Sequence, residues 1–147
     1  MKRLHIHIRT KDLEKSVAFY SALFSSPPEK QKDDYARWLL DDPVAHVSLS
    51  SYAGATDGAG IDHVGISLDD DEELSLYESR LEEAKARVRT EEDTVCCYAN
   101  SNKRWTQAPD GEIWELFHSK SDTDMYGTIN RPASEGGTEN KQACCRA

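Results

Sequence analysis

The hydrophobic and polar positions in the first third of the chain change their period from one segment to the next. Residues 4–9 alternate apolar and polar side chains, which predicts a strand with one apolar face. Residues 12–24 carry apolar side chains at spacings of three and four, which predicts an amphipathic helix. Residues 35–40 and 44–50 then predict two strands of a hairpin, joined by a turn that contains Pro43.

The same order of elements returns in the second half of the chain. Residues 61–68 predict a strand, and residues 72–86 predict a helix with one apolar stripe. Two short strands follow at residues 94–99 and 103–107, and a Pro-Asp-Gly turn separates them from a last strand over residues 112–118. The second half therefore has the predicted order β-α-β-β-β, and the repeat indicates the same unit in the first half.

An offset of 58 residues aligns the two halves and places His5, in the first strand of one half, on His63 in the first strand of the other. Such self-similarity is the signature of a duplicated structural unit. It predicts an α+β fold in which two repeated β-α-β-β-β modules form a curved mixed sheet around a metal cavity, with the helices outside.

The length of 147 residues is sufficient for one compact domain with a core. We expect this domain over residues 1–118, with module one at about 1–52 and module two at about 61–118. Residues 119–147 contain few apolar side chains, so we expect them to form a disordered tail that carries cysteines.

The charge of the chain excludes some classes of partner. Eighteen Lys and Arg stand against 27 Asp and Glu, a formal net charge of −9, which argues against nucleic acid or an anionic membrane surface as a partner. No apolar run approaches the length of a membrane-spanning helix, and no apolar signal region follows the first residues. We therefore expect a cytoplasmic protein whose thiols stay reduced.

The four cysteines form two adjacent pairs, Cys96–Cys97 and Cys144–Cys145. Neighbouring cysteines make a strained ring when joined, so both pairs are interpreted as thiols and not as a disulfide framework.

Two histidines and one carboxylate are the candidate metal ligands. His5 and His63 occupy equivalent positions of the two modules, so related strands would direct both imidazoles to the same cavity. Glu115 lies in the last predicted strand, on the face opposite to Trp114. Its equivalent in module one is Ser48, a poor ligand, so the site would keep positions open, an arrangement that suits Fe(II) binding both O₂ and a substrate.

Other interpretations of these residues stay open. A histidine on a strand face is commonly a hydrogen-bonded structural residue, and a lone glutamate is commonly a solvated charge. His7 shares the face of His5 and could replace it as a ligand or support it from behind. His46, on the face of Ser48, is a weaker candidate.

Three motifs resemble the vicinal oxygen chelate superfamily, which includes glyoxalase I, extradiol dioxygenases, and fosfomycin and bleomycin resistance proteins. The resemblance covers about residues 1–118, and its motifs are His5-x-x-x-Arg9-x-x-Asp12-Leu13, His63-Val64-Gly65-Ile66 and Pro109-Asp110-Gly111-x-x-Trp114-Glu115. Glyoxalase I would have a second carboxylate near Ser48, which this chain lacks.

Within that superfamily, Cys96–Cys97 followed by Lys103-x-Trp105 is similar to the organoarsenical carbon–arsenic lyases, also known as cadmium-induced or arsenic-inducible proteins. A cysteine pair near the C-terminus recurs in them, and Cys144–Cys145 fits. The resemblance implies an Fe(II)-dependent dioxygenase with O₂ as co-substrate, which cleaves the carbon–arsenic bond of trivalent organoarsenicals such as methylarsonous acid or aromatic arsenicals and releases arsenite.

The same resemblance assigns roles to the candidate residues. Cys96 and Cys97 would bind arsenic, which is thiophilic, while His5, His63 and Glu115 would bind the iron, although the same ligands accept other divalent metals. Alternatives are a non-catalytic protein that sequesters a metalloid or a drug, and a glutathione-linked lyase or transferase of the same fold. The partner is a small molecule in each case, and the chain would act as a monomer or a homodimer.

The cysteine pair raises a geometric question. On a regular strand Cys96 and Cys97 would point to opposite faces, so joint binding of arsenic requires a bend or loop, or reordering driven by arsenic. We predict irregular and mobile structure over residues 96–102. Lys103 would then tune the pKa of the thiolates, and Trp105 would form a wall of the cavity or pack in the core. The pair Cys144–Cys145 would capture arsenicals or have no function.

Overall fold

A computed structural model describes residues 1–51 and 58–127. The first module contains β1 (Arg3–Thr10), α1 (Leu13–Phe24), β2 (Lys30–Lys32), β3 (Tyr35–Asp41) and β4 (Val44–Ser51). The second contains β5 (Gly60–Ser67), α2 (Asp71–Glu83), β6 (Arg89–Cys96), β7 (Ala99–Gln107) and β8 (Ile113–Asp122). The predicted α+β class and the repeated β-α-β-β-β order are confirmed.

One compact unit spans Arg3–Val64. Its strands follow the order β2-β3-β4-β1-β5, with β1 parallel to β4 and β3 antiparallel to both β2 and β4. Helix α1 begins after Asp12, whose carboxylate accepts a hydrogen bond from the Lys15 amide. The apolar stripe of α1 packs on the core of the sheet, which consists of Ala36, Trp38, Leu40, Ala45, Val47 and Leu49. This packing fixes the strand face on which the first module's histidines lie.

The other unit begins with Met1–Lys2 and continues from Gly65. Strand β7 pairs antiparallel with both β6 and β8, and β8 lies beside β5 in the order β5-β8-β7-β6. Helix α2 packs through Leu74 on Leu68 and Leu116. A Cβ at Gly65 would lie 2.0 Å from the carbonyl oxygen of Glu115, so only glycine allows this close approach of β5 and β8.

Several strand bounds differ from those that the sequence predicts. Strand β2 was not predicted, and β6 begins at Arg89, five residues early, because backbone pairing with β7 orders charged side chains that have no apolar period. Strand β8 continues past the predicted end at residue 118 to Asp122. The later part of the predicted tail, including Cys144 and Cys145, lies outside the described residues.

The prediction of irregular structure over residues 96–102 is wrong in its extent. The chain leaves the strands only at Cys97 and Tyr98, and β7 is already paired at Ala99. Within the described parts of the chain, no helix is long and apolar enough to cross a membrane.

Candidate functional site

A cluster of buried histidines lies on one face of the unit Arg3–Val64. Alternation along β1 places His5 and His7 on the same face, and β5 supplies His63. The ring centroids of His5 and His63 lie 5.4 Å apart, and the rings of His7 and His63 stack at 4.8 Å. One ring nitrogen from each of the three lies within 4.8 Å of the others, so this face can hold a metal ion.

The hydrogen bonds of His5 and His63 orient both rings in the same way. The Nδ1 atom of His5 lies 3.2 Å from the carbonyl oxygen of His46, and Nδ1 of His63 lies 2.7 Å from Oδ2 of Asp62. Both acceptors require a proton on Nδ1, so the lone pair of each neutral ring is on Nε2. Histidines that bind a metal through Nε2 adopt this tautomer, so the donor set fits a divalent transition metal.

The contacts of His7 differ from those of the other two histidines. Its Nδ1 lies 2.9 Å from the hydroxyl of Ser48, and its Nε2 lies 2.8 Å from the hydroxyl of Ser50. Both ring nitrogens therefore have hydrogen-bond partners, and His7 would have to exchange one of them to bind a metal. These contacts favour His7 as support for the stacked His63, one of the two roles that the sequence left open.

Two residues at this site were missed by the sequence analysis. Asp62 is buried beside His63, and its Oδ1 atom lies 3.0 Å from Nε of Arg9 on β1. The sequence held one clue to each residue. Asp62 directly precedes the candidate ligand His63, and Arg9 follows His5 and His7 at the two-residue spacing that places side chains on one face of a strand. Neither signal is specific, since a pattern of alternation does not reveal which side chains form a salt bridge.

The thiol pair lies at a hairpin turn of the other unit. Cys97 and Tyr98 have φ angles of 55° and 62°, so two consecutive left-handed residues join β6 to β7. This turn brings the Sγ atoms of Cys96 and Cys97 to within 3.1 Å of each other. The bend that joint binding requires is therefore present, although it is much shorter than predicted.

A buried ion pair lies on the same face of this unit. The ammonium of Lys103 donates a hydrogen bond of 2.5 Å to Oε1 of Glu115, and both side chains are less than a tenth exposed. The Nζ atom of Lys103 also lies 5.7 Å from the ring centre of Trp105 and 6.0 Å from that of Phe117. Trp105 is itself buried, so the ion pair lies against a side chain of the core.

Charges on this face couple the thiols to the ion pair. Burial acts to lower the pKa of Lys103, but the carboxylate of Glu115 and the two nearby thiols outweigh it, so the pKa of the ammonium is raised. The hydrogen bond with Cys96 and burial raise the pKa of the Cys97 thiol well above its usual value, and Lys103 opposes this only in part. Lys103 thus acts to lower the pKa of Cys97, but it is not the dominant effect on that thiol.

The structure thus assembles the predicted site residues in two groups. His5, His7 and His63 form one group within Arg3–Val64, whereas Cys96, Cys97, Lys103, Trp105 and Glu115 form another in the unit that continues from Gly65.

Comparisons with known proteins agree with the resemblance found in the sequence. Residues 2–116 match the family model of the Glyoxalase/Bleomycin resistance protein/Dioxygenase superfamily. A trivalent organoarsenical cleaving enzyme of Bacillus sp. (strain MD1) is 35% identical over 152 residues, which cover 99% of this chain and 91% of that protein. A probable trivalent organoarsenical cleaving enzyme of Bacillus subtilis is 38% identical over 125 residues, which cover 85% of each chain.

Solved structures support the fold. An extradiol ring-cleaving dioxygenase from B. fuscum superposes with a TM-score of 0.60 at 14% identity, covering 83% of this chain and 34% of that chain. At this identity the likeness concerns the fold alone.

Proposed function

The chain belongs to the Glyoxalase/Bleomycin resistance protein/Dioxygenase superfamily, and on that premise we propose that it is an Fe(II)-dependent dioxygenase that cleaves the carbon–arsenic bond of trivalent organoarsenicals. Its products are arsenite and the oxidised carbon fragment. The observation that carries the proposal is the Cys96–Cys97 turn, whose sulfur atoms lie 3.1 Å apart. The names of the relatives that match at 35% and 38% identity support the same substrate class.

The thiols bind the substrate through its arsenic atom. Trivalent arsenic is soft, so sulfur ligands are preferred over oxygen ligands. The raised pKa of Cys97 keeps its thiol protonated before binding. Each thiol then exchanges with one hydroxyl of methylarsonous acid: an arsenic–sulfur bond forms, an arsenic–oxygen bond breaks, and the thiol proton leaves with the hydroxyl as water.

The ion pair of Lys103 and Glu115 supports the thiol pair. Lys103 compensates the charge of Glu115 and of any thiolate that forms, because its ammonium interacts with both. Trp105 and Phe117 keep water away from this ammonium, which strengthens the attraction in a medium of low dielectric constant.

The metal ligands in this proposal are His5, His63 and Glu115, with His7 in a supporting role. The Nδ1 hydrogen bonds of His5 and His63 leave the Nε2 lone pair of each ring available to a metal. The carboxylate of Glu115 would be the third ligand, which gives a set of two histidines and one carboxylate. Fe(II), when bound, supplies the one-electron chemistry that O₂ requires. We place these events in the cytoplasm, with a small organoarsenical as the partner.

A second candidate function is sequestration of a trivalent arsenical without turnover. This function is favoured because both thiols of the turn lie within one unit. None of the three clustered histidines belongs to the turn. Such a protein would bind one arsenical per thiol pair and release no product.

One experiment separates the two functions. The reduced protein is incubated with Fe(II) and methylarsonous acid in air and under argon, and arsenite is measured by chromatography with arsenic detection. The proposal expects arsenite release in air and none under argon. Stoichiometric binding without arsenite in air would support sequestration, and equal release under argon would exclude a dioxygenase.

A further inference from the structure

A buried carboxylate stands directly behind one of the candidate metal ligands. We propose that Asp62, fixed by Arg9, is a positioning residue that holds His63 in the Nδ1–H tautomer and so directs its Nε2 atom towards the metal. The inference rests on the proposed function, because it takes His63 as a ligand of the metal.

The geometry of the Asp62 carboxylate assigns one oxygen to each partner. Oδ2 lies 2.7 Å from Nδ1 of His63, and Oδ1 lies 3.0 Å from Nε of Arg9. An ionised carboxylate only accepts hydrogen bonds, so His63 must donate from Nδ1. The opposite tautomer would put two lone pairs face to face at 2.7 Å in a buried environment.

Arg9 makes the buried carboxylate stable in this position. The side chain of Asp62 is 2% exposed, and an uncompensated charge at that depth is costly. The side chain of Arg9 is 22% exposed, and its guanidinium supplies the opposite charge. Gly58 borders this guanidinium, since a Cβ at that position would lie 3.0 Å from Cζ of Arg9.

His5 and His63 differ in the charge of their acceptors. His5 donates to the neutral carbonyl oxygen of His46, whereas His63 donates to a carboxylate. A charged acceptor makes the other ring nitrogen a stronger ligand, and removal of such an acceptor typically weakens metal binding by about 10- to 100-fold. A side-chain substitution can remove this acceptor from His63 but not from His5.

The first test measures the tautomer in the metal-free protein. Ring ¹⁵N chemical shifts report which nitrogen of each histidine carries the proton, and His63→Gln assigns the signals of that ring. The inference expects Nδ1–H at His63 in the parent protein. A parent spectrum with His63 in the Nε2–H form would overturn it, whatever the variants do.

The isosteric variant Asp62→Asn then tests the cause. Arg9 retains the side-chain oxygen in this variant, so the amide nitrogen faces Nδ1 and donates to it, which inverts the tautomer of His63. Arg9→Lys keeps the charge and should leave the tautomer unchanged. As a matched control, Glu29→Gln removes the carboxylate of the Arg37 pair in the same unit, at 2.8 Å, and should change no histidine signal.

The second test measures metal affinity with Co(II), titrated without O₂ and followed by its visible absorption. Asp62→Asn should weaken Co(II) binding by about 10- to 100-fold, whereas Arg9→Lys and Glu29→Gln should remain within about threefold. Equal affinity and an unchanged tautomer in Asp62→Asn would contradict the positioning role. These readouts require no carbon–arsenic cleavage, so a failure of the proposed activity would be recognised separately.

Discussion

The buried pair of Lys103 and Glu115 allows a quantitative test of how the thiol-bearing unit is stabilised. Replacement by Lys103→Met keeps a long apolar stem but leaves the carboxylate of Glu115, 4% exposed, without its ammonium 2.5 Å away. Breaking a buried ion pair by removing one partner costs about 3–5 kcal/mol. A domain of this size has about 5–15 kcal/mol of unfolding free energy, so the loss is a large part of the total.

Urea denaturation of the metal-free protein, followed by tryptophan fluorescence, measures the change. The double variant Lys103→Met/Glu115→Leu should recover most of the lost stability, because an apolar pair can replace a buried ion pair at little cost. The pKa of Lys103 is raised above its ordinary value of 10.5, so its contribution is fully present below pH 10.5 and is lost only as the pH rises further. Titration of Lys103 should therefore not change the difference between parent and Lys103→Met up to about pH 9. A single-variant loss under about 1 kcal/mol would refute the assignment of this pair as buried and compensated.

Three further predictions concern the thiols, a glycine and a carboxylate. Cys96→Ser should weaken binding of methylarsonous acid by at least about tenfold, since one of two sulfur ligands is lost. The affinity for Co(II) should stay within about threefold, and isothermal titration calorimetry measures both affinities. Gly65→Ala should destabilise the protein by about 3 kcal/mol or more in urea, because its Cβ would lie 2.0 Å from the carbonyl oxygen of Glu115, and an unchanged midpoint would contradict that close approach. Burial opposes ionisation of Glu78, but hydrogen bonds from Arg104 and Thr90 prevail and lower its pKa below 4.5. The stability that Glu78 contributes is therefore present above about pH 4.5 and lost below it, so Glu78→Gln should lose stability at pH 7 and less at pH 3, as acid and neutral denaturation curves will show.

Much of the fold follows from local pattern. Both modules are predicted by two features of the sequence: His63 repeats the position of His5, and a strand pattern is followed by a helix pattern in each half. These patterns are sufficient because the apolar faces of helix and sheet must pack against each other. Strand β2 and the start of β6 at Arg89 carry no such pattern, because they are held by backbone hydrogen bonds to a neighbouring strand.

The site was predictable in its residue types but not in its contacts. Strand alternation is sufficient to place His5 and His7 together on one buried face. It could not predict that Ser48 and Ser50 hold both ring nitrogens of His7, since these contacts depend on the parallel register of β1 and β4.

The contact between the two cysteines could not be predicted from the sequence either. Two thiols adjacent in sequence point to opposite faces of a strand, and only the left-handed backbone at Cys97 brings their sulfur atoms together. Neither Cys97 nor Tyr98 is a residue type that favours this conformation, so the sequence required a bend without locating it.

The most direct test of the proposed chemistry is the ratio of arsenite released to O₂ consumed by the Fe(II)-loaded protein with methylarsonous acid. An oxygen electrode and arsenic speciation give both quantities in one reaction. The account predicts one arsenite per O₂, and no arsenite from either Cys96→Ser or Glu115→Gln. Arsenite release without O₂ consumption, or at the parental rate in both variants, would contradict it.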